Sequence, residues 1–136
     1  MDKQATVFYV DDNPKSRELL TNILEARGFT VIAAAGPLEA LDQAKNMVFE
    51  IALLDYQMPG MLGTQLAREL KRIDPDLPVV VISGLAALPS HELVNVNVHL
   101  GRGTRVDQLL ETIEMLANRE SPRWSESAIT CWHGST

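Results

Sequence analysis

Apolar positions along the chain fall into two alternating kinds of stretch: short continuous runs that stop on a polar residue, and longer segments with apolar residues every three or four positions. The first kind reads as buried strand, the second as amphipathic helix. Ala5 to Val10 is a strand-like run ending on Asp11-Asp12-Asn13-Pro14. Asn13 can cap a helix with Pro14 at its first position, and Leu19, Leu20, Ile23 and Leu24 form its stripe up to Arg27-Gly28. Phe29 to Ala34 makes a second strand, and Gly36-Pro37 opens a helix with Leu38, Leu41, Ala44 and Val48 at helical spacing.

The third strand, Ile51 to Leu54, stops on Asp55, and Met58-Pro59-Gly60 forbids its simple continuation. A helix from about Gly63 to Ile73 follows, with Leu66, Ala67, Leu70 and Ile73 on one face, ended by Asp74-Pro75-Asp76. Pro78 to Ser83 is a β-branched fourth strand that stops on a hydroxyl. Between Leu85 and Asn95 the periodicity is weak, so the fourth helix is expected to be short or irregular. Val96 to Leu100 fits a fifth strand. Thr104-Arg105-Val106-Asp107 has the form of a capping box before the clearest stripe, Val106, Leu109, Leu110, Ile113, Leu116 and Ala117.

Five strands alternating with five helices predict an α/β fold: a doubly wound five-stranded parallel sheet with helices on both faces and right-handed crossovers. Strands one and three must be neighbours for their terminal carboxylates to meet, which the flavodoxin-like order 2-1-3-4-5 provides at its switch point.

Length adds one boundary. A chain of 136 residues is most simply one domain, assigned to residues 1–118, with Ser121-Pro122 closing it and 119–136 as a tail. The tail is polar but holds Trp124 and Trp132, and the single cysteine, Cys131, permits no internal disulfide. With 46% hydrophobic and 22% charged residues the composition is that of a globular protein. A net charge of -6 argues against nucleic acid as the direct partner. No secretory leader and no membrane-length apolar run is visible, so a cytoplasmic protein without membrane association is expected.

Asp11, Asp12 and Asp55 are each ordinary turn or capping residues when taken alone. Brought together by the strand order they form one acidic pocket, and mutual repulsion then makes it hold protons or recruit a cation. Such oxygen ligands suit Mg²⁺ or Mn²⁺, ions commonly bound by carboxylates together with a phosphate. A carboxylate can also act as nucleophile toward phosphorus, the transferred group then needing cations and donors around its oxygens. Ser83, Arg102 and the backbone of the Tyr56-Gln57 turn, including the Gln57 carbonyl as a metal ligand, are placed to supply them.

Over roughly residues 4 to 118 the chain resembles the receiver domain of two-component response regulators. The resemblance rests on Val10-Asp11-Asp12-Asn13, on Asp55-Tyr56-Gln57-Met58-Pro59-Gly60 with Gly63 behind it, and on Val81-Ile82-Ser83-Gly84. It implies that Asp55 accepts a phosphoryl group from a histidine kinase or histidine phosphotransfer protein, that Asp11 and Asp12 hold Mg²⁺, and that Ser83 is the switch hydroxyl. It further implies an unknown downstream protein that reads the fourth and fifth helical region, and a monomer or weak dimer that modifies only itself rather than turning over a separate substrate.

Two departures stand out. Arg102-Gly103 replaces the family's usual Lys-Pro, exchanging a compact ammonium for a planar fork. His99 occupies the position of the usual aromatic switch residue, and the segment from Ser83 to Arg102 is shorter than usual. These departures motivate an alternative, a pseudo-receiver that binds partners but is poorly or not phosphorylated. A metal-dependent phosphohydrolase is disfavoured because Gln57, not an acid, stands two residues after Asp55.

Overall fold

The computed structural model describes residues 5–117; the expected domain boundary at 118 and the 119–136 tail with Trp124, Cys131 and Trp132 lie outside these described residues. Five strands, β1 (Thr6–Val10), β2 (Thr30–Ala34), β3 (Ile51–Asp55), β4 (Val79–Ser83) and β5 (Val98–Gly101), form one sheet in the order β2-β1-β3-β4-β5. All pairings are parallel, with Tyr9 opposite Leu53, Leu54 opposite Val81, and Ser83 opposite Gly101. The helices are α1 (Pro14–Ala26), α2 (Pro37–Ala44), α3 (Gly63–Ile73), a 3-10 helix (Ser90–Asn95) and α4 (Val106–Ala117).

Strand alternation divides the core in two. Phe8, Val10, Ala52, Leu54, Val79 and Val81 pack with Ala40 and Ala44 of α2 and with Leu66 and Leu70 of α3. Val7, Tyr9, Ile51, Leu53 and Val80 pack with Leu24 of α1 and with Leu109, Ile113 and Leu116 of α4. All five residues of β3 are buried, as a central parallel strand covered on both faces requires.

Local chemistry sets the element ends. Asn13 Oδ1 accepts from the backbone N–H of Lys15 and Ser16 at 3.0 and 3.1 Å, so the expected cap of α1 is present. Gly28 ends that helix at φ +103°, in the left-handed region. Gly63 opens α3 against β3, where a Cβ would stand 2.3 Å from the Asp55 carbonyl oxygen; only glycine lets the helix start there.

Several expected details are corrected. In α2 the inward row is Pro37, Ala40 and Ala44. Leu38 is 79% exposed, and Val48 lies beyond the helix at 84%. Leu41 and Ala44 of the expected stripe do pack against the core, while Pro37 and Ala40 rather than Leu38 complete the inward face. Ile73 and Val106, at the open ends of their stripes, are about half exposed, and Leu19 in α1 is 63% exposed. The fourth helix is short and irregular as expected, a single 3-10 segment, but β5 begins at Val98 rather than Val96. The Val96 N–H closes the 3-10 turn onto Leu93, and Asn97 Oδ1 accepts from Val79 N–H at 2.9 Å. At α4 the Arg105 carbonyl accepts from Leu109 N–H, and Asp107 pairs with Arg105 at 3.1 Å instead of completing a capping box with Thr104.

Leu54→Ala should lower the unfolding free energy by about 2–5 kcal/mol, measured by urea denaturation, because it leaves a cavity in the central strand. Leu38→Ala should stay within about 0.5 kcal/mol of the wild type, since its side chain is in solvent.

Candidate functional site

The carboxyl edges of β1 and β3 are adjacent, so the residues that end these strands meet. Asp11 and Asp55 follow the alternation of Tyr9 and Leu53 and are almost fully buried, while Asp12 is exposed. One carboxylate oxygen from each of Asp11, Asp12 and Asp55 lies within 4.8 Å of the others. That donor set, all hard oxygens and open to solvent on the Asp12 side, fits a divalent cation such as Mg²⁺ or Mn²⁺.

Each carboxylate has a distinct environment. Asp11 is held at both oxygens: the buried Tyr9 hydroxyl donates to Oδ2 at 2.6 Å, and the Asn13 N–H donates to Oδ1 at 2.9 Å. Burial and the bond to Asp11 push the Tyr9 phenol well above its ordinary range, so it is a proton donor to that carboxylate at any physiological pH. The Arg17 guanidinium binds the Asp11 carbonyl at 2.8 Å and braces the turn.

Asp55 faces the Arg102 guanidinium, which donates a hydrogen bond and forms an ion pair with Oδ1. Burial nevertheless dominates, and with the repulsion from Asp11 and Asp12 it outweighs Arg102, pushing the Asp55 carboxyl up to about 6. Arg102 is carried there by backbone pairing, its N–H donating to the Ser83 carbonyl at 2.9 Å beyond the end of β5. A slot of about 230 Å³ opens beside this pair, walled by Leu19, Leu20 and Ile23 of α1 and by Leu100, Val106 and Leu109.

Ser83 and His99 pair with each other. Ser83 is buried at the end of β4; its Oγ lies 3.1 Å from His99 Nε2 and accepts from the Leu85 N–H at 3.0 Å. By strand alternation both residues belong to the face covered by α2 and α3, whereas Asp11 and Asp55 belong to the other. Gln57 is exposed in the turn after β3. The structure thus brings Asp11, Asp12, Asp55 and Arg102 together and holds Ser83 in a separate bond to His99.

Sequence reasoning missed Tyr9, Arg17, Glu92 and the role of the Tyr56 hydroxyl. Tyr9 carried a usable signal, because a residue two positions before Asp11 on a strand shares its face. Glu92 carried none, lying in the segment with no clear periodicity; its Oε1 accepts from the Tyr56 hydroxyl at 2.7 Å.

Comparison with known proteins agrees with this fold. A family model described as response regulator receiver domain matches residues 7–97. The transcriptional regulatory protein DctD of Rhizobium meliloti is 36% identical over 89 residues, 65% of this chain and 19% of that protein. The polar-differentiation response regulator DivK of Brucella anthropi is 27% identical over 114 residues, 80% of this chain and 93% of that protein. GlrR of Escherichia coli is 26% identical over 94% of this chain and 30% of its own length, so the chain spans less than a third of some curated relatives. A CheY-like receiver domain protein from Methanospirillum hungatei superposes with a TM-score of 0.80 at 27% identity, covering 86% of this chain and 96% of that one. The match over residues 7–97, most of the described fold, places this chain in the response regulator receiver domain family.

Proposed function

We propose that Asp55 accepts a phosphoryl group from a histidine kinase or histidine phosphotransfer protein, and that the modified chain changes its binding to a downstream protein. The observation that carries this reading is the set of three carboxylates within 4.8 Å, one of them paired with Arg102 at the mouth of a solvent-facing slot. Asp11, Asp12, Asp55 and the Gln57 carbonyl would hold Mg²⁺ or Mn²⁺, which when bound neutralises charge on the phosphoryl oxygens.

An Asp55 carboxylate oxygen attacks the phosphorus of a phosphohistidine; the P–O bond forms as the P–N bond breaks, and the imidazole leaves with the electron pair and takes up a proton. Arg102 exchanges its carboxylate partner for a phosphoryl oxygen, a fork suited to that geometry. Ser83 donates to another phosphoryl oxygen once its hydroxyl leaves His99. The chain acts as phosphoacceptor for its own modification, and the added charge shifts a conformational population that the partner reads. Contact between Arg102 and Asp55 supports this reading over a pseudo-receiver, because the required cation is already at the acceptor.

Incubation with acetyl phosphate and Mg²⁺ should add one acid-labile phosphoryl group by intact-mass measurement, and none to Asp55→Asn or in the presence of a chelator. Absence of incorporation in the wild type contradicts the proposal. Arg102→Ala should slow incorporation by about 10²-fold, the usual cost of removing one donor to a developing charge, and Arg102→Lys should recover part of it.

Because the Asp55 pKa is raised, its charge opposes folding above pH 6, and that cost disappears as pH falls through 6 toward the ordinary carboxylate range. Metal-free Asp55→Asn should therefore be more stable than wild type by on the order of 2 kcal/mol at pH 7 to 8. Thermal denaturation should show this difference shrinking as pH is lowered to 4.

A further inference from the structure

Glu92 sits in the middle of the 3-10 helix, yet its Oε1 accepts hydrogen bonds from both ends of the loop that follows Asp55. The Tyr56 hydroxyl donates at 2.7 Å and the Thr64 hydroxyl at 3.3 Å. Both donors are buried, at 7% and 4% exposure, and the Glu92 side chain is 20% exposed. A partly desolvated carboxylate accepting from two hydroxyls makes stronger bonds than a neutral acceptor does. Its other oxygen lies 3.9 Å from the largely exposed His91 ring, a weak contact by comparison.

The position of these bonds is informative. Tyr56 begins the loop and Thr64 is the second residue of α3; the Gly63 N–H donates to the Tyr56 carbonyl at 2.7 Å and closes the loop's base. The Tyr56 N–H donates to the Ile82 carbonyl at 2.8 Å, so the peptide after Asp55 is fixed on the strand side. On the far side the loop is fixed by Glu92. Gln57, whose carbonyl is the proposed cation ligand, is one peptide unit from the Tyr56 ring that Glu92 holds. A 3-10 helix of six residues with no side-chain cap is marginal by itself and gains order from what it docks on.

We propose that Glu92 is a positioning residue: it clamps the 56–64 loop so that the Gln57 carbonyl is set for cation binding, and it thereby links cation affinity to the order of the 3-10 helix. The cation half of this statement rests on the proposed role of Gln57. By linkage the coupling runs both ways, so occupancy of the acidic pocket protects the 3-10 helix, and a protein that grips this helix alters cation affinity by the same factor. Tyr56→Phe keeps the ring and loses the bond; Glu92→Gln keeps the acceptor and loses the charge.

The test combines amide hydrogen exchange of the metal-free full chain with Mg²⁺ titration by calorimetry, for wild type, Glu92→Ala, Glu92→Gln, Tyr56→Phe and the Glu92→Ala/Tyr56→Phe double variant. Glu92→Ala and Tyr56→Phe should raise exchange in both 57–63 and 90–96 and weaken Mg²⁺ binding by about tenfold, as loss of a group that orients a ligand does. The double variant should be no weaker than Glu92→Ala, because the two residues act through one bond. Glu92→Gln, which keeps an oxygen acceptor but loses the charge that strengthens these bonds, should fall between wild type and Glu92→Ala. With acetyl phosphate, the variants should need more Mg²⁺ for half-maximal rate while reaching the wild-type rate at saturation, a split that general destabilisation does not produce. Faster exchange confined to 90–96, or unchanged Mg²⁺ affinity in both single variants, overturns the clamp. If wild type itself binds no Mg²⁺, the proposed function fails, and the exchange pattern alone still decides whether Glu92 holds the loop.

Discussion

Three carboxylates at the end of a parallel sheet repel one another, and the organisation of this molecule follows from how that repulsion is met. Asp11 is satisfied by fixed donors, the Tyr9 hydroxyl and the Asn13 N–H, so its charge is stabilised within its own turn. Asp12 is left in water, where the dielectric screens it. Asp55 has neither remedy: it is buried, faces the other two, and has one guanidinium, carried in from the end of β5 two strands away. Its charge is therefore the least compensated of the three, so it is the one that an added cation or proton relieves most.

The fold makes this arrangement possible by placing β1 and β3 side by side with their carboxyl ends level, and by covering β3 on both faces. Asp55 is held by the strand beneath it and by α3, whose first residue can only be glycine at that separation. Arg102 reaches the pocket because the β4–β5 ladder continues one hydrogen bond past β5. The slot between α1 and α4 leaves the pair accessible from one direction, while Ser83, bonded to His99 and Leu85, belongs by alternation to the opposite face.

Much of this was legible in the sequence because strand ends and caps are local. The runs closing on Asp11, Asp55 and Ser83, the Asn13 cap and the strand order all appear in the structure where periodicity placed them. What escaped was set by competition between neighbours in space. Whether Leu38 or Ala40 faced the core depended on how closely α2 packs on its neighbours, which spacing cannot report. The start of β5 was decided by the Asn97 side chain bonding Val79 across eighteen residues. Arg102 was placed by sequence as a cation for the pocket, but its direct pairing with Asp55 appears only in three dimensions, and Glu92 gained its meaning from two hydroxyls that lie 36 and 28 positions away.

The central claim is that Asp55 carries an incompletely compensated charge that a divalent cation relieves. Carboxyl carbon chemical shifts of Asp55, followed by NMR across pH with and without Mg²⁺, test it most directly. A titration centred at about 6 in the metal-free protein that moves to lower pH when Mg²⁺ is added is the result this account predicts. Titration in the ordinary carboxylate range, unmoved by Mg²⁺, would contradict it.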